Sequence, residues 1–151
     1  MKAILLLITM SILGKPYLAS SQSKGDLRLT LNHAAICVRD LKKSTDFYRV
    51  VLGLEELPNP FQDGIHTWFK IGPALQLHII QRDCNPVPNK NTHLCFSVAS
   101  LAAFANHLEK VKVDYTNLKG DSKEPTVRVD GVKQIYLQDP DGYWIEINDA
   151  K

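Results

Sequence analysis

The chain carries one pattern twice. Asn32-His33-Ala34-Ala35-Ile36-Cys37-Val38-Arg39-Asp40-Leu41 and Thr92-His93-Leu94-Cys95-Phe96-Ser97-Val98-Ala99-Ser100-Leu101 align without a gap and match at His, Val and Leu. Self-similarity of this kind means that one supersecondary unit is used twice, which limits the fold more than any single propensity does. Each copy is a short segment of alternating polarity that runs into a helix start. Asp40 and Ser100 are N-cap residue types, and apolar residues at helical spacing follow over Leu41 to Leu52 and Leu101 to Val111. Gly53 is placed to stop the first helix.

Three more extended stretches follow each helix. In the first half they are Leu54 to Leu57, Ile65 to Ile71 and Ala74 to Gln81, separated by Pro58-Asn59-Pro60 and by Gly72-Pro73. In the second half they are Val113 to Asn117, Val132 to Gln138 and Tyr143 to Asn148, with Asp139-Pro140-Asp141-Gly142 as the last hairpin turn. Each half therefore reads β-α-β-β-β. The predicted fold is α+β: two βαβββ modules forming an eight-stranded curved sheet, a cup, with the helices packed outside. Module 1 covers 29–82, a Pro- and Asn-rich linker 83–91, and module 2 92–150.

Neighbouring side chains of a strand point to opposite faces of the sheet, so each strand can be sorted into two sides. Ala34, Ile36 and Val38 lie opposite His33, Ala35 and Cys37; Leu75, Leu77 and Ile79 lie opposite Gln76, His78 and Ile80. Leu94, Phe96 and Val98 lie opposite His93, Cys95 and Ser97; Tyr143, Ile145 and Ile147 lie opposite Trp144, Glu146 and Asn148. With the apolar sides packed on helices, His33, His78, His93 and Glu146 project from the other surface, and curvature would make them converge. A lone strand His is ordinarily a hydrogen-bonded polar residue, but four ligand types at symmetry-related positions point to a shared ion.

Three imidazoles and a carboxylate suit one divalent metal ion, Zn, Ni, Co, Mn or Fe(II), and exclude an all-oxygen calcium cage. Four protein ligands leave an octahedral ion two open positions, as catalysis requires. Gln76 shares the face of His78 and is the alternative fourth ligand, with His78 then standing behind it. Glu146 is the candidate base, and Tyr136 and His66 are candidates for proton transfer, with lining of the cup as their plainer role. Trp68 and Gln134 line the same cup, His107 reads as a surface residue of the second helix, and Lys42 and Lys43 as a solvated helix face.

The first residues stand apart. Lys2, the apolar run Ala3 to Gly14 and Leu18-Ala19-Ser20-Ser21 match a signal peptide over 1–21, followed by an N-terminal extension over 22–28, so a periplasmic or secreted location is expected. The apolar run is short for a bilayer span, so no stable membrane insertion is expected once it is removed. Loss of 1–21 removes two of the 18 basic residues and none of the 16 acidic ones, leaving a formally neutral protein with no sign of nucleic-acid binding. Cys37, Cys84 and Cys95 are odd in number and not closely spaced; a Cys37–Cys95 pair is conceivable, and all three read as small buried residues.

Several of these residues also resemble a known group. Asn32-His33-Ala34-Ala35-Ile36-Cys37-Val38, Asp40-Leu41, Phe47-Tyr48, Leu52-Gly53-Leu54, Thr92-His93 and Asp139-Pro140-Asp141-Gly142-Tyr143-Trp144-Ile145-Glu146 are similar to the vicinal oxygen chelate superfamily, across nearly all of 29–149. That group includes glyoxalase I, fosfomycin-resistance proteins, methylmalonyl-CoA epimerase, extradiol dioxygenases and bleomycin-binding proteins. The resemblance implies ligands on the first and last strand of each module, at His33, His78, His93 and Glu146, with glyoxalase I as the nearest reaction template. Two positions depart from that template: His78 stands where an acid is common, and Cys37 where an Arg holds the glutathione carboxylate.

The expected function is thus a metal-dependent lyase or isomerase moving a proton on a small substrate chelated through two oxygens. The alternatives are an Fe(II) dioxygenase of extradiol type and a non-catalytic binder of a small molecule such as an antibiotic. Whether the cup forms within one chain or by modules exchanged across a homodimer is open at this point.

Overall fold

The computed structural model describes residues 28–86 and 89–151. The signal-peptide expectation on 1–21, and most of the extension, lie outside the described residues. Both helix starts form at their caps: Asp40 accepts from the Lys43 amide at 3.0 Å and Ser100 from the Ala103 amide at 3.2 Å. Strand β1 (His33–Val38) therefore turns directly into α1 (Leu41–Asp46), which widens into a π-helical turn over Phe47–Val51. Gly53, at φ +66°, ends that turn in a left-handed conformation that favours glycine.

Module 1 continues with β2 (Glu56–Leu57), β3 (His66–Lys70) and β4 (Gln76–Gln81), and module 2 runs β5 (His93–Ser97), α2 (Leu101–Lys110), β6 (Thr126–Val127), β7 (Lys133–Gln138) and β8 (Trp144–Asn148). Each module is a four-stranded mixed sheet, in the orders β1-β4-β3-β2 and β5-β8-β7-β6, so the α+β class and the duplicated βαβββ unit both hold. In each, the first strand pairs parallel to the fourth across the helical crossover, and the remaining pairs are antiparallel.

One expected strand is misplaced. Val113 to Asn117 contributes only a bridge from Thr116 to Tyr136, and the β7 edge is paired instead by Thr126–Val127. The cause is Asn117, whose side-chain oxygen accepts from the amides of Gly120 and Asp121 and bends the chain off the sheet.

The apolar faces meet in one core: Val38, Tyr48, Phe69, Leu77 and Ile79 from module 1 join Leu101, Leu108, Ile135, Leu137, Ile145 and Ile147 from module 2. Leu77, Ile79, Ile135, Ile145 and Ile147 are 0–1 % exposed. Each such side chain taken out of water contributes roughly 1.5–3 kcal/mol, so truncating any of them to Ala would open a cavity between the modules.

The last hairpin turn does more than reverse the chain. Asp139 accepts from the amides of Asp141 and Tyr143 at 2.9 Å each and from the Tyr48 hydroxyl at 3.0 Å. Asp141, 7 % exposed, accepts from the Arg39 amide at 3.1 Å, from Arg39 Nε at 2.8 Å and from Ser44 Oγ at 3.1 Å. Two carboxylates on a module 2 turn thus hold the helical segment of module 1, Asp141 at its start and Asp139 at its π-helical turn. His107 is part of the same junction rather than a surface residue: its Nε2 lies 3.1 Å from the Val51 carbonyl.

The cysteines also differ from expectation. Cys37 is bonded to Cys84, with Cα atoms 6.2 Å apart, and Cys95 is free and exposed rather than buried. The parallel register, which ends with Val38 opposite Gln81, carries the chain leaving β4 back past Cys37. Among the described residues no helix is long and apolar enough to cross a membrane.

Candidate metal centre

Strand register makes the two modules superimposable position by position. His33 faces Gln76 and Ala35 faces His78 across β1 and β4; His93 faces Trp144 and Cys95 faces Glu146 across β5 and β8. On the third strands Trp68 faces His78 as Tyr136 faces Glu146, and His66 is the counterpart of Gln134. His78, not Gln76, therefore occupies the place that Glu146 holds in module 2. Gln76 acts on His78 from the side, its Oε1 lying 3.0 Å from His78 Nε2.

The module 2 half is a closed hydrogen-bond network around Glu146, which is 6 % exposed. Tyr136 donates its hydroxyl to Oε2 at 2.5 Å, Asn148 donates Nδ2 to Oε1 at 2.9 Å, and the Cys95 thiol donates to Oε1 at 3.3 Å. Gln134 Nε2 in turn donates to the Tyr136 oxygen at 3.0 Å. Burial pushes the Glu146 carboxyl up, but these three donors and the nearby His93 outweigh it and hold the group below the ordinary carboxylate value. Burial first, and then the Glu146 carboxylate, push the Cys95 thiol up to about 12 and raise the Tyr136 phenol, so both keep their protons at neutral pH.

His93 completes this half. Its Nδ1 lies 2.7 Å from the Lys90 carbonyl and its Nε2 3.3 Å from Glu146 Oε2. With Nδ1–H donating to that carbonyl, a ring without a second proton would turn a lone pair toward a carboxylate oxygen, and two acceptors at this distance need a cation or a proton between them. Donors bound side by side at ~2.1 Å to one ion lie ~3 Å apart, so the pair fits metal ligation. His33 is tied in the same manner, with Nδ1 2.8 Å from Asn32 Oδ1.

The module 1 half is made of stacked rings. His33 lies on His78 with centroids 4.4 Å apart and planes within 11°, and His78 lies on Trp68 at 4.0 Å and 9°. Burial first, then the neighbouring His33 and His66, lower the His78 pKa, which keeps the imidazole in its neutral, ligating form. His66 sits at the edge of this half, its Nδ1 2.6 Å from Asp63 Oδ2 and its ring against Phe61.

The structure thus brings the expected ligands together in two pairs, His33 with His78 and His93 with Glu146. It does not bring all four together: among the described residues there is no group of three or more His, Cys, Asp or Glu side chains able to hold one ion. Sequence reasoning missed Asn148 and Cys95 as partners of Glu146, although both share its face by simple alternation. It also missed Lys90, whose role depends on tertiary placement. The Lys90 ammonium is bound by the carbonyls of Asn117 and Leu118 at 3.1 Å each and lies over the Trp144 ring at 4.3 Å, which fixes the carbonyl that orients His93.

A duplicated βαβββ chain with paired candidate ligands on the first and fourth strands of each module defines a class, and the family comparison agrees: the chain belongs to the Glyoxalase/Bleomycin resistance protein/Dioxygenase superfamily, matched over residues 30–147. Among its relatives, Glyoxylase I 4 of Arabidopsis thaliana is 29% identical over 132 residues, covering 80% of this chain and 71% of that protein. A lactoylglutathione lyase of Pseudomonas putida is 26% identical over 165 residues, covering 87% and 91%. Among solved structures, the fosfomycin resistance protein FosX of Listeria monocytogenes aligns with a TM-score of 0.65 at 22% identity, covering 83% of this chain and 96% of that one, a likeness of fold alone.

Proposed function

We propose that this protein is a divalent-metal-dependent lyase or isomerase of glyoxalase type, acting on a small substrate that chelates the ion through two oxygens. The observation that carries the reading is the facing pair His93 Nε2 and Glu146 Oε2, with the far side of the imidazole already engaged by Lys90. His33, His78, His93 and Glu146 would hold the ion, Zn, Ni, Co, Mn or Fe(II). When bound, it polarises the substrate oxygens and acidifies the adjacent C–H.

The chain's own groups then divide the work. Glu146, ionised at neutral pH, takes the proton from carbon and returns it. Tyr136, protonated and bonded to Oε2, holds the carboxylate in place and supplies a hydrogen bond as its charge changes. Asn148 and Cys95 fix Oε1 from the other side.

A homodimer completes the site in this reading. Each chain carries two half-sites, and pairing module 1 of one chain with module 2 of its partner gives two four-ligand centres per dimer. Export is part of the same proposal, supported by the leader-like N-terminus and by the Cys37–Cys84 bond, which suits an oxidising compartment. The test is elemental analysis of anaerobically purified protein beside a His93→Ala variant. About one divalent ion per chain in the wild type and a large loss in the variant support the reading; unchanged metal content in the variant refutes it. Iron accompanied by oxygen uptake would transfer the assignment to a dioxygenase.

A further inference from the structure

One lysine meets the module 2 half-site twice, through its side chain and through its main chain. The Lys90 ammonium has three donors, and three oxygens engage them: the carbonyls of Asn117 and Leu118 at 3.1 Å each and Thr116 Oγ1 at 3.4 Å. Its charge also lies over two rings, Trp144 at 4.3 Å and Tyr136 at 5.3 Å. With every donor engaged, this ammonium has nothing left to offer a ligand, so its role is to hold chain in place. What it holds is its own carbonyl, which lies 2.7 Å from His93 Nδ1.

The socket for the ammonium is built by the segment that leaves the sheet. Thr116 stays bridged to Tyr136 by two backbone bonds, at 2.8 and 2.7 Å, and Asn117 then turns the chain. Its Oδ1 accepts from the amides of Gly120 and Asp121 at 2.7 and 3.2 Å, its Nδ2 donates to Asp121 at 2.9 Å, and its amide donates to the Ser122 carbonyl at 2.7 Å. The Leu118 amide is held by Thr126 Oγ1 at 3.0 Å. In a strand, successive carbonyls point to opposite sides; this turn brings two of them onto one ammonium.

Two acceptors compete for the protons of the His93 ring: the Lys90 carbonyl at Nδ1 and Glu146 Oε2, 3.3 Å from Nε2. A single proton on Nδ1 leaves Nε2 a lone pair for an ion, whereas a single proton on Nε2 donates to Glu146 and fills the place the ion needs. We infer that Lys90 and the Asn117 loop form a latch that keeps the proton on Nδ1 and so sets His93 as an Nε2 donor. This rests on the metal-site reading above and adds two positioning residues, Lys90 and Asn117, through which a loop outside the ligand face controls the centre. In module 1 the equivalent ring, His33, leans on the side chain of its own neighbour, Asn32, at 2.8 Å, and serves as an internal control.

The test uses Lys90→Met, which keeps the apolar stem and removes the ammonium, and Asn117→Ala, with two readouts: ring-nitrogen NMR of metal-free protein and Co(II) titration. Wild-type His93 should carry a proton at Nδ1. Lys90→Met should move that population toward Nε2 and weaken Co(II) binding about tenfold or more, with the His33 ring signals unchanged. Asn117→Ala should act in the same direction, and the double variant should bind no more weakly than Lys90→Met alone, because both act through one link. A wild-type ring without a proton at Nδ1, unchanged His93 signals in Lys90→Met, or losses that add in the double variant overturn the inference. The turn at Asn89, whose carbonyl and Oδ1 accept from the amides of Thr92 and Asn91 at 2.9 Å each, would then suffice to aim the Lys90 carbonyl. If Asn117→Ala does not fold, Lys90→Met decides alone. Wild-type protein that binds no Co(II) overturns the metal reading, while the ring signals of metal-free protein still decide the latch.

Discussion

The division of the four candidate ligands into His33 with His78 and His93 with Glu146 has a consequence that a mixing experiment reads directly. Take two variants, His33→Ala and Glu146→Gln, each with one damaged ligand pair and one intact pair. If a centre is built from module 1 of one chain and module 2 of its partner, every homodimer of either variant has a lesion in both of its centres. In a heterodimer the lesions fall together: one centre combines both damaged pairs, and the other combines the two intact pairs. Random assortment makes about half of the dimers mixed, each with one sound centre of two, so about a quarter of the wild-type centres return. Neither parent has any. The assay is co-expression of the two variants followed by Co(II) titration, counting sites of wild-type affinity and absorption spectrum. His33 and Glu146 lie on different sheets and share none of the contacts described above, so the two lesions should act independently. A mixture that shows no wild-type sites, although heterodimers are present by mass, refutes the exchanged arrangement.

Two predictions concern the turn that joins the modules. Asp141→Ala removes the acceptor for the Arg39 amide and for Ser44 Oγ, leaving a fully buried hydroxyl unpaired; the Arg39 guanidinium, 60% exposed, adds little. The loss should be about 3 kcal/mol, seen as a fall in Tm of about 10 °C by calorimetry; a change within a degree would mean the turn does not hold the modules together. Asp139 makes the junction sensitive to pH, because burial raises its pKa above the ordinary 3.8 despite the bonds from Tyr143, Tyr48 and Asp141. Its contribution is therefore fully present below the unfolded value and is lost as pH rises through the folded one. Asp139→Asn should gain stability relative to the wild type as denaturant titrations move from pH 4 to pH 7, and a difference that shrinks over that range would show the sign to be wrong.

Much of this architecture was legible because it depends on local rules. Alternation sorted each strand into a core face and a ligand face, and the Asp40 and Ser100 caps marked where strand gives way to helix. Those signals survive in a single sequence. What escaped depends on tertiary placement: Asn117 bends the chain so that Thr126–Val127 replaces an expected strand, and the end of β4 carries Cys84 to Cys37. His107 looked solvated because its helix neighbours are polar, yet its partner is a backbone carbonyl 56 residues away. Convergence of the four candidate ligands was expected from alternation, duplication and a curved sheet, but these fix equivalent places in two sheets and say nothing about which sheets face each other.

The asymmetry between equivalent places is what gives the duplicated unit a use. A strictly repeated module would place His and Glu on both sheets and present two identical polar walls. Here the fourth-strand position is Glu146 in one module and His78 in the other, and the residue beside it is Tyr136 in one and Trp68 in the other. A carboxylate surrounded by donors is held ionised, whereas an imidazole flattened between two rings is kept neutral by its burial. In the reading proposed above, proton transfer would therefore belong to module 2, and module 1 would contribute neutral imidazoles to the ion. The division follows from environment rather than from the ligand list: an acid at position 78 would stand between aromatic rings with Gln76 as its hydrogen-bonding neighbour, and burial without the network around Glu146 would raise its pKa and cost it the charge that a base and ligand needs.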